Sequence, residues 1–394
     1  MKNLHLISAM FVSKGHGFEY IRNFCSKLSD KYNITLHIAS SPMPYNLPEN
    51  IVVNYTNVDY SVTDAKNFIK FGLFGKYFRA IYKQYISFKY YRGVIKNKIV
   101  NDEDLVYIMD YDVIPLPYLV YSLSKNKIRI FIWIHSAKFK SKDFLYSLYK
   151  YFFKLFFKIF VYSHIEGIVV NGNYIKNKIV DYLDVRDDEV YVIQYPSEIK
   201  YEKKSKEESR KSLGLKSTDK VILFFGILRE DKNIGALIYH ISNSNVKTTL
   251  ILAGSEGSVS KKDILFWINE NRLENYILDI NYISEEKIAM YYSAADLLML
   301  TYNHESASQS GPLSLAREFL LPALVSDVGE IGDYVKENKV GLVADIEIED
   351  DFSKKIDLFF NMDNYHNKFS ESLYTAKNKY SWNSAKNEYV KLFK

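Results

Sequence analysis

Tyr302-Asn-His-Glu-Ser-Ala-Ser-Gln-Ser-Gly-Pro-Leu-Ser-Leu-Ala-Arg-Glu-Phe-Leu-Leu-Pro-Ala-Leu-Val-Ser-Asp327 is the stretch on which the reading of this chain turns. The apolar run before it, Ala295 to Thr301, predicts a buried parallel strand. Small and polar residues from Asn303 to Gly311 predict a loop. Pro312 stands where a first helical turn tolerates proline, because the missing N–H would have no intrahelical partner. The helix is expected to reach about Leu320, and Pro322-Ala-Leu-Val-Ser326 opens the next buried strand. Strand, loop, helix and strand make one parallel crossover unit, with the loop at the carboxyl edge of the sheet. Unpaired N–H groups and the positive dipole end at that helix start suit an anion.

Working outward, 394 residues are too many for one ordinary domain, and two of roughly 150–200 residues are the natural expectation. With 47% apolar residues each half can bury a core, and a net charge of +5 is too mild to argue for nucleic acid. The single cysteine, Cys25, rules out an intrachain disulfide, and no metal-ligand spacing occurs. No signal-peptide pattern opens the chain and no apolar run reaches the ~18 residues of a membrane span. These absences lead us to expect a cytoplasmic protein. Lys, Asn, Ile, Tyr and Phe are abundant, a skew that coding bias in an AT-rich genome also produces.

In the first half, Leu4 to Met10 predicts a strand and Glu19 to Leu28 a helix, with Gly15 and Gly17 in the turn between them. Glycine there allows a tight turn or a close backbone approach to a ligand. A dinucleotide fingerprint would need a third glycine in register and a later acid, and neither is present. Ile128 to Ile134 predicts a strand that delivers His135 to the carboxyl edge of the sheet, where open α/β sheets place ligands. Two stretches, 64–98 and 138–162, are helical, basic and aromatic. In the second, Lys150, Lys154 and Lys158 form one stripe beside Phe153, Phe156, Phe157 and Phe160. The pattern fits a core-facing helix with a solvated Lys face, and equally a peripheral contact with an anionic membrane. Gly167 to Val170 predicts a strand leading through Asn171-Gly172-Asn173 into a capped helix. Residues 197–220 read as a linker with a short solvated helix.

The second half opens on the strand Lys220-Val-Ile-Leu-Phe-Phe, then Gly226 and Arg229-Glu-Asp-Lys232 at the mouth of a helix. Arg can grip a phosphate with two parallel donors while Lys supplies a point charge. Pairing of Arg229 with Glu230 or Asp231 is the alternative.

Several of these motifs together resemble retaining glycosyltransferase family 4, in its variants with Ser-x-Gln-Ser-Gly. Ser308-Gln309-Ser310-Gly311 lies within that signature, and Ser326-Asp-Val-Gly-Glu-Ile-Gly-Asp-Tyr-Val resembles the family's Ser-Asp-x-Gly-Gly-x-Pro-Glu-x-Val. Arg229 and Lys232 match its Arg-x-x-Lys, and Ala253-Gly254-Ser-Glu-Gly257 its Ala-Gly-x-Gly. Tyr282 through Asp296 matches Val-Ser-x-x-Glu-Leu-x-x-x-Tyr-x-x-Ala-Asp.

The resemblance implies a GT-B fold, two Rossmann-like domains facing across a cleft. Residues 1–197 would be the acceptor-side domain, 198–219 a linker, 220–375 the nucleotide-sugar domain and 376–394 a helix crossing back. It also implies that Arg229 and Lys232 hold the donor diphosphate and that His135 faces the donor sugar. Gly15, Gly17, Gly226 and Gly254 would line the site, the backbone at Tyr282 and Ile283 would hold the base, and Ser308 to Leu313 (Gln309, Ser310, Gly311 and Pro312 between) the sugar phosphate. No metal and no further cofactor are expected.

The sequence departs from the family at its glutamate pair. Aligned on Pro322, those positions fall on Ala307 and Leu315. Glu305 is two residues early and is the expected substitute; Glu318 lies one turn beyond Leu315. The function implied is transfer of a sugar from a nucleoside diphosphate to a glycan acceptor, lipid-linked or free, in bacterial surface polysaccharide synthesis. A non-catalytic nucleotide-sugar-binding subunit is the alternative the missing pair suggests, and a GT-B sugar epimerase is a third.

Overall fold

The computed structural model describes residues 1–8, 16–39, 47–96, 101, 103–125, 127–135, 144–198, 202–304 and 310–394. The chain divides into two compact units, Met1–Gln194 with Ala385–Lys394, and Tyr195–Ser384.

The first unit is a parallel sheet of seven strands: β1 Lys2–Ser8, β2 Tyr32–Ile38, β3 Val52–Tyr55, β4 Leu105–Ile108, β5 Arg129–Trp133, β6 Gly167–Val170 and β7 Val190–Val192, in the order β3-β2-β1-β4-β5-β6-β7. Short, almost wholly apolar runs such as Leu105-Val-Tyr-Ile108 form these strands because both sheet faces are covered by helices. The helices are α1 His16–Leu28, α2 Gly75–Lys96, α3 Leu116–Leu123, α4 Phe144–Phe156 and α5 Asn173–Leu183. α1 starts three residues before the expected Glu19, so Gly17 lies inside its first turn, not in the loop. One glycine costs a helix about 1 kcal/mol, and the buried stripe Tyr20, Ile21, Phe24, Cys25, Leu28 carries this one.

The 64–98 stretch is a 3-10 segment, Ala65–Phe74, broken at Gly72 (φ +53°), followed by α2. Past α4 the expected helix widens into a π turn, Phe157–Val161. Lys154 and Lys158 both face the end of α5: Lys158 pairs with Asp184, and Lys154 lies over the Tyr182 ring at 5.9 Å. Phe153 and Phe157 are core, whereas Phe152 and Phe160 are exposed and stack on Phe156 from either side.

Between β3 and β4 a buried polar chain crosses the sheet. Asp104 accepts from His5 Nε2 (3.1 Å), which leaves His5 Nδ1 to accept from His37 Nε2 (3.0 Å) and His37 Nδ1 to accept from Asn54 (2.9 Å). Burial holds both imidazoles below their usual pKa, His37 at about 3, so both are neutral.

The second unit is a six-stranded parallel sheet: β8 Val221–Phe225, β9 Thr249–Ala253, β10 Tyr276–Asp279, β11 Leu297–Leu300, β12 Ala323–Ser326 and β13 Gly341–Ala344, ordered β10-β9-β8-β11-β12-β13. Its helices are α6 Lys206–Ser212, α7 Ile234–Ser242, α8 Lys261–Glu270, α9 Glu285–Ala294, α10 Gly311–Phe319, α11 Gly329–Asn338, α12 Asp351–Asn361, α13 Tyr365–Lys368 and α14 Ser370–Lys379. α6 differs from the solvated linker helix expected of it. Ser205 and Glu208 form a capping box at its start, and Arg210, 4% exposed, meets Asp296 at 2.8 Å. Asp296 also accepts from Val221 N (2.7 Å), which ties α6 to the first strand of the unit.

α15, Trp382–Leu392, returns the chain to the first unit at Ala385. There Tyr389 and Phe393, both fully buried, pack with Phe24, Tyr107 and Phe131.

Candidate active site

In the second unit the chain winds outward from β8 through β9 to β10, then restarts at β11 and winds the other way through β12 to β13. The crevice at the carboxyl ends of β8 and β11 is therefore the topological switch point, where open α/β sheets bind ligands. The residues leaving those two strands build the site.

β8 ends in Gly226 (φ +120°) and β9 in Gly254 (φ +152°), conformations that suit glycine alone. The two turns touch backbone to backbone: a Cβ on Gly254 would stand 2.0 Å from the Gly226 carbonyl oxygen. Gly257 is held as closely, since its Cβ would fall 2.5 Å from the Leu228 oxygen. Thinning the backbone here leaves room for a side chain under the Gly226 turn. A Cβ on Gly226 would meet Lys232 Nζ at 2.7 Å and Pro312 Cγ at 3.3 Å. The Lys232 ammonium thus lies against the first turn of α10.

Lys232 is 6% exposed and its ammonium has no hydrogen-bond acceptor among the described residues. It lies 5.7 and 5.8 Å from the ring centres of Phe224 and Tyr302. Burial, reinforced by the Arg229 charge and partly offset by Asp231, brings its pKa down to about 8. A buried cation without an acceptor is costly to hold, and an arriving anion relieves that cost.

Arg229 does not lie open to a phosphate. Its Nε and Nη2 are engaged by the two oxygens of Asp231 at 2.9 and 2.8 Å, so the ion-pair alternative is the one realised, on a side chain half exposed to solvent. Asp231 is in turn placed by Asn303, whose N–H donates to its carbonyl oxygen (3.0 Å).

α10 starts as its sequence dictates. Ser310 is the N-cap, its Oγ accepting from Leu313 N at 3.4 Å and lying 3.1 Å from Tyr302 Oη; burial pushes the Tyr302 phenol up to about 12. Tyr292 steadies the helix through Pro312 O (3.0 Å) and by stacking on Phe319. The expected row of donors from Ser310 to Leu313 is shorter than anticipated. Pro312 has no N–H and Leu313 N is capped, which leaves the N–H groups of Ser310 and Gly311 for an anion.

Glu318 cannot stand in for the missing glutamates. It is 5% exposed and already engaged, accepting from Ser197 Oγ at 2.9 Å with Lys377 at 3.6 Å. Beyond β10, Tyr282 projects 87% exposed, Ile283 is buried, and Ser284 caps α9 as expected, accepting from Lys287 N.

In the first unit His135 follows β5, exposed, with its ring 5.3 Å from that of Trp133. Trp133 is locked by stacking on Tyr20 and by donating to Asn171 Oδ1 at 2.7 Å. Asn171 also donates to Ile193 O (3.0 Å), so it staples three strand ends, while α5 begins at Gly172 without a side-chain cap. Gly15, Glu305, Ser308 and Gln309 lie outside the described residues.

Among the described residues no group of His, Cys, Asp and Glu is arranged to hold a metal, and no helix is long and apolar enough to cross a membrane. One contributor escaped the sequence reading, Tyr302, whose hydroxyl meets the α10 cap.

Residues 205–375 match the family described as Glycosyl transferases group 1, so the second unit carries a glycosyltransferase domain of that group. No curated protein matches the chain by sequence. Among solved structures, a glycosyltransferase from Rickettsia africae superposes with a TM-score of 0.74 at 13% identity, covering 100% of this chain and 97% of its own. HepE from Anabaena, solved with UDP and glucose, gives 0.66 at 14% identity over 100% and 99%. The lipopolysaccharide outer core galactosyltransferase WaaB gives 0.66 at 15% over 98% of both chains. At such identities these likenesses show the fold, which is GT-B.

Proposed function

We propose that the protein is a retaining glycosyltransferase of family 4 that moves a sugar from a nucleoside diphosphate to a glycan acceptor in surface polysaccharide synthesis. The observation that carries the reading is the buried, acceptor-free ammonium of Lys232 at the switch point, in a domain of glycosyltransferase group 1. As the glycosidic bond breaks, negative charge gathers on the departing diphosphate. Lys232 and the N–H groups of Ser310 and Gly311 stabilise that charge, and Arg229 exchanges Asp231 for phosphate oxygens. The turn at Gly254 and the backbone at Tyr282 and Ile283 hold the nucleoside. His135 is the catalytic histidine in this reading, and Glu305, Ser308 and Gln309 belong to the sugar site.

The UDP-bound relative supports a nucleotide donor, and the galactosyltransferase a glycan acceptor. A peripheral position on an anionic membrane is part of the proposal. α2 carries Lys76, Arg79, Lys83, Lys89, Arg92 and Lys96 and no acid, beside exposed Phe78, Ile81, Tyr82 and Tyr85. Such a surface gains from both charge and apolar burial at a lipid headgroup layer.

The test is to titrate the purified protein with nucleoside diphosphates and then assay transfer to glycan and lipid-linked acceptors, with product anomers read by NMR. Binding that Lys232→Ala abolishes, and transfer that His135→Ala abolishes while nucleotide affinity persists, are expected. Tight binding with no turnover on any acceptor would favour the non-catalytic subunit.

A further inference from the structure

On the flank of α10 facing α11 there is a cavity of about 20 Å³, bordered by Ser310, Ser314, Arg317, Glu330, Tyr334 and Tyr380. That volume admits one water or one hydroxyl group. Leu313 and Ile331 complete a lining that is more apolar than polar, with the polar atoms gathered at a few points. Arg317 is 3% and Tyr334 8% exposed, yet Arg317 Nε and Tyr334 Oη have no hydrogen-bond partner among the described residues. One end of the guanidinium is fixed. Its Nη2 donates to Ser197 Oγ at 2.7 Å and to Tyr195 O at 3.4 Å, and its plane lies over Tyr380 at 4.5 Å. Nε is a buried donor without a partner, on a residue that borders the cavity. Orphaned buried donors are rare and mark a missing partner.

The place of the cavity in the sheet says what that partner is. Lys232 leaves β8 and Ser310 leaves β11, the two strands of the switch point; β12 is the next strand out, and Glu330 stands in the first turn of the helix that follows it. A diphosphate held at the switch point sends its nucleoside toward one side and its sugar toward the other. With the nucleoside over β9 and β10, as in the proposed function on which this inference rests, the sugar lies over the end of β12. Ser310 belongs to both places, capping the anion site and bordering the cavity. Glu330 occupies a position where the motif Ser-Asp-x-Gly-Gly has glycine, in a chain whose Ala307 and Leu315 replace the usual acids.

We propose that this cavity is the specificity pocket for one hydroxyl of the transferred sugar. A hydroxyl has one proton to give and two lone pairs to fill. Here it donates to the Glu330 carboxylate and accepts from Tyr334 Oη and Arg317 Nε. A site built this way discriminates strongly against the analogue lacking that hydroxyl, because Arg317 Nε and Tyr334 Oη are then left unpaired.

The experiment uses the full chain and calorimetric titration of UDP, GDP and dTDP, followed by the hexose conjugates and single-deoxy hexose conjugates of whichever nucleotide binds. Glu330→Gln and Tyr334→Phe should keep nucleoside diphosphate affinity within about twofold and lose roughly ten- to a hundredfold for the sugar conjugate. One deoxy conjugate should bind wild type as weakly as the parent conjugate binds the variants, and the variants should not distinguish the two. Variants that bind the conjugates as wild type does, or that lose nucleotide and conjugate in equal measure, overturn the inference while Lys232→Ala still reports on the proposed function. A wild-type protein that binds none of the three nucleotides overturns both.

Discussion

Replacing Lys232 by methionine should make the ligand-free protein more stable while destroying its affinity for diphosphate. The lysine stem and the methionine side chain fill similar space between Phe224 and Tyr302, so the change is chiefly the removal of a buried charge. The fall in pKa from 10.5 to about 8 corresponds to about 3 kcal/mol spent at neutral pH on keeping the ammonium charged in the fold. Below pH 8 both folded and unfolded chains carry the proton and the whole penalty applies. As pH rises from about 8 toward 10.5 the folded lysine is already neutral while the unfolded one still loses its proton, so the penalty fades. The stability gap between Lys232→Met and wild type should therefore be widest at pH 7 and close by about pH 10. Thermal unfolding across that range reads it. A companion measurement is proton uptake: wild type titrated with diphosphate near pH 8 should bind about half a proton per site, seen as a dependence of heat on buffer. A variant no more stable than wild type at pH 7, or a gap indifferent to pH, would refute the argument that this cation waits for its counter-charge.

Gly254→Ala should cost at least about 3 kcal/mol, read as a lower melting temperature, since its Cβ would overlap the Gly226 carbonyl and its φ is wrong for alanine. Asp296→Ala should cost about 3–5 kcal/mol by stranding the buried Arg210 guanidinium, measured by the same melting experiment. In the first unit, stability should fall as pH drops below about 6.5, the unfolded histidine value, because buried neutral His37 resists its proton down to about pH 3. By pH 5 the loss from this one ring is about 2 kcal/mol, and His37→Gln, which keeps a donor and an acceptor, should remove it in urea unfolding at pH 7 and pH 5.

The second unit was readable because its signals are local. A continuous apolar run ending in glycine, a cap followed by proline, and an αL residue after the helix each declare themselves within a few positions; Val221–Gly226 and Ser310–Leu320 behave as written. What stayed hidden depends on partners distant in the chain or on competition between neighbours. For Arg229 the sequence left phosphate and a neighbouring acid both open, and the 3-10 turn decides for Asp231 by letting side chains two residues apart face each other. Glu318 looked free to serve the site until Ser197, far earlier in sequence, claimed it. The π turn after α4 also went unread, because helical periodicity does not distinguish it from a continuing α-helix. The small cavity bordered by Tyr334 and Tyr380 could not be foreseen, since α10, α11 and Tyr380 meet only in the folded chain.

The return of residues 385–394 to the first unit has a consequence for how the protein is made. During synthesis the second unit is contiguous and can close as soon as Ser384 has left the ribosome tunnel. The first, although translated earlier, waits with Phe24, Tyr107 and Phe131 uncovered until Tyr389 and Phe393 arrive to seal them. The order of completion is thus the reverse of the order of birth, and a chain halted just short of Ala385 leaves the ribosome with its older half still sticky.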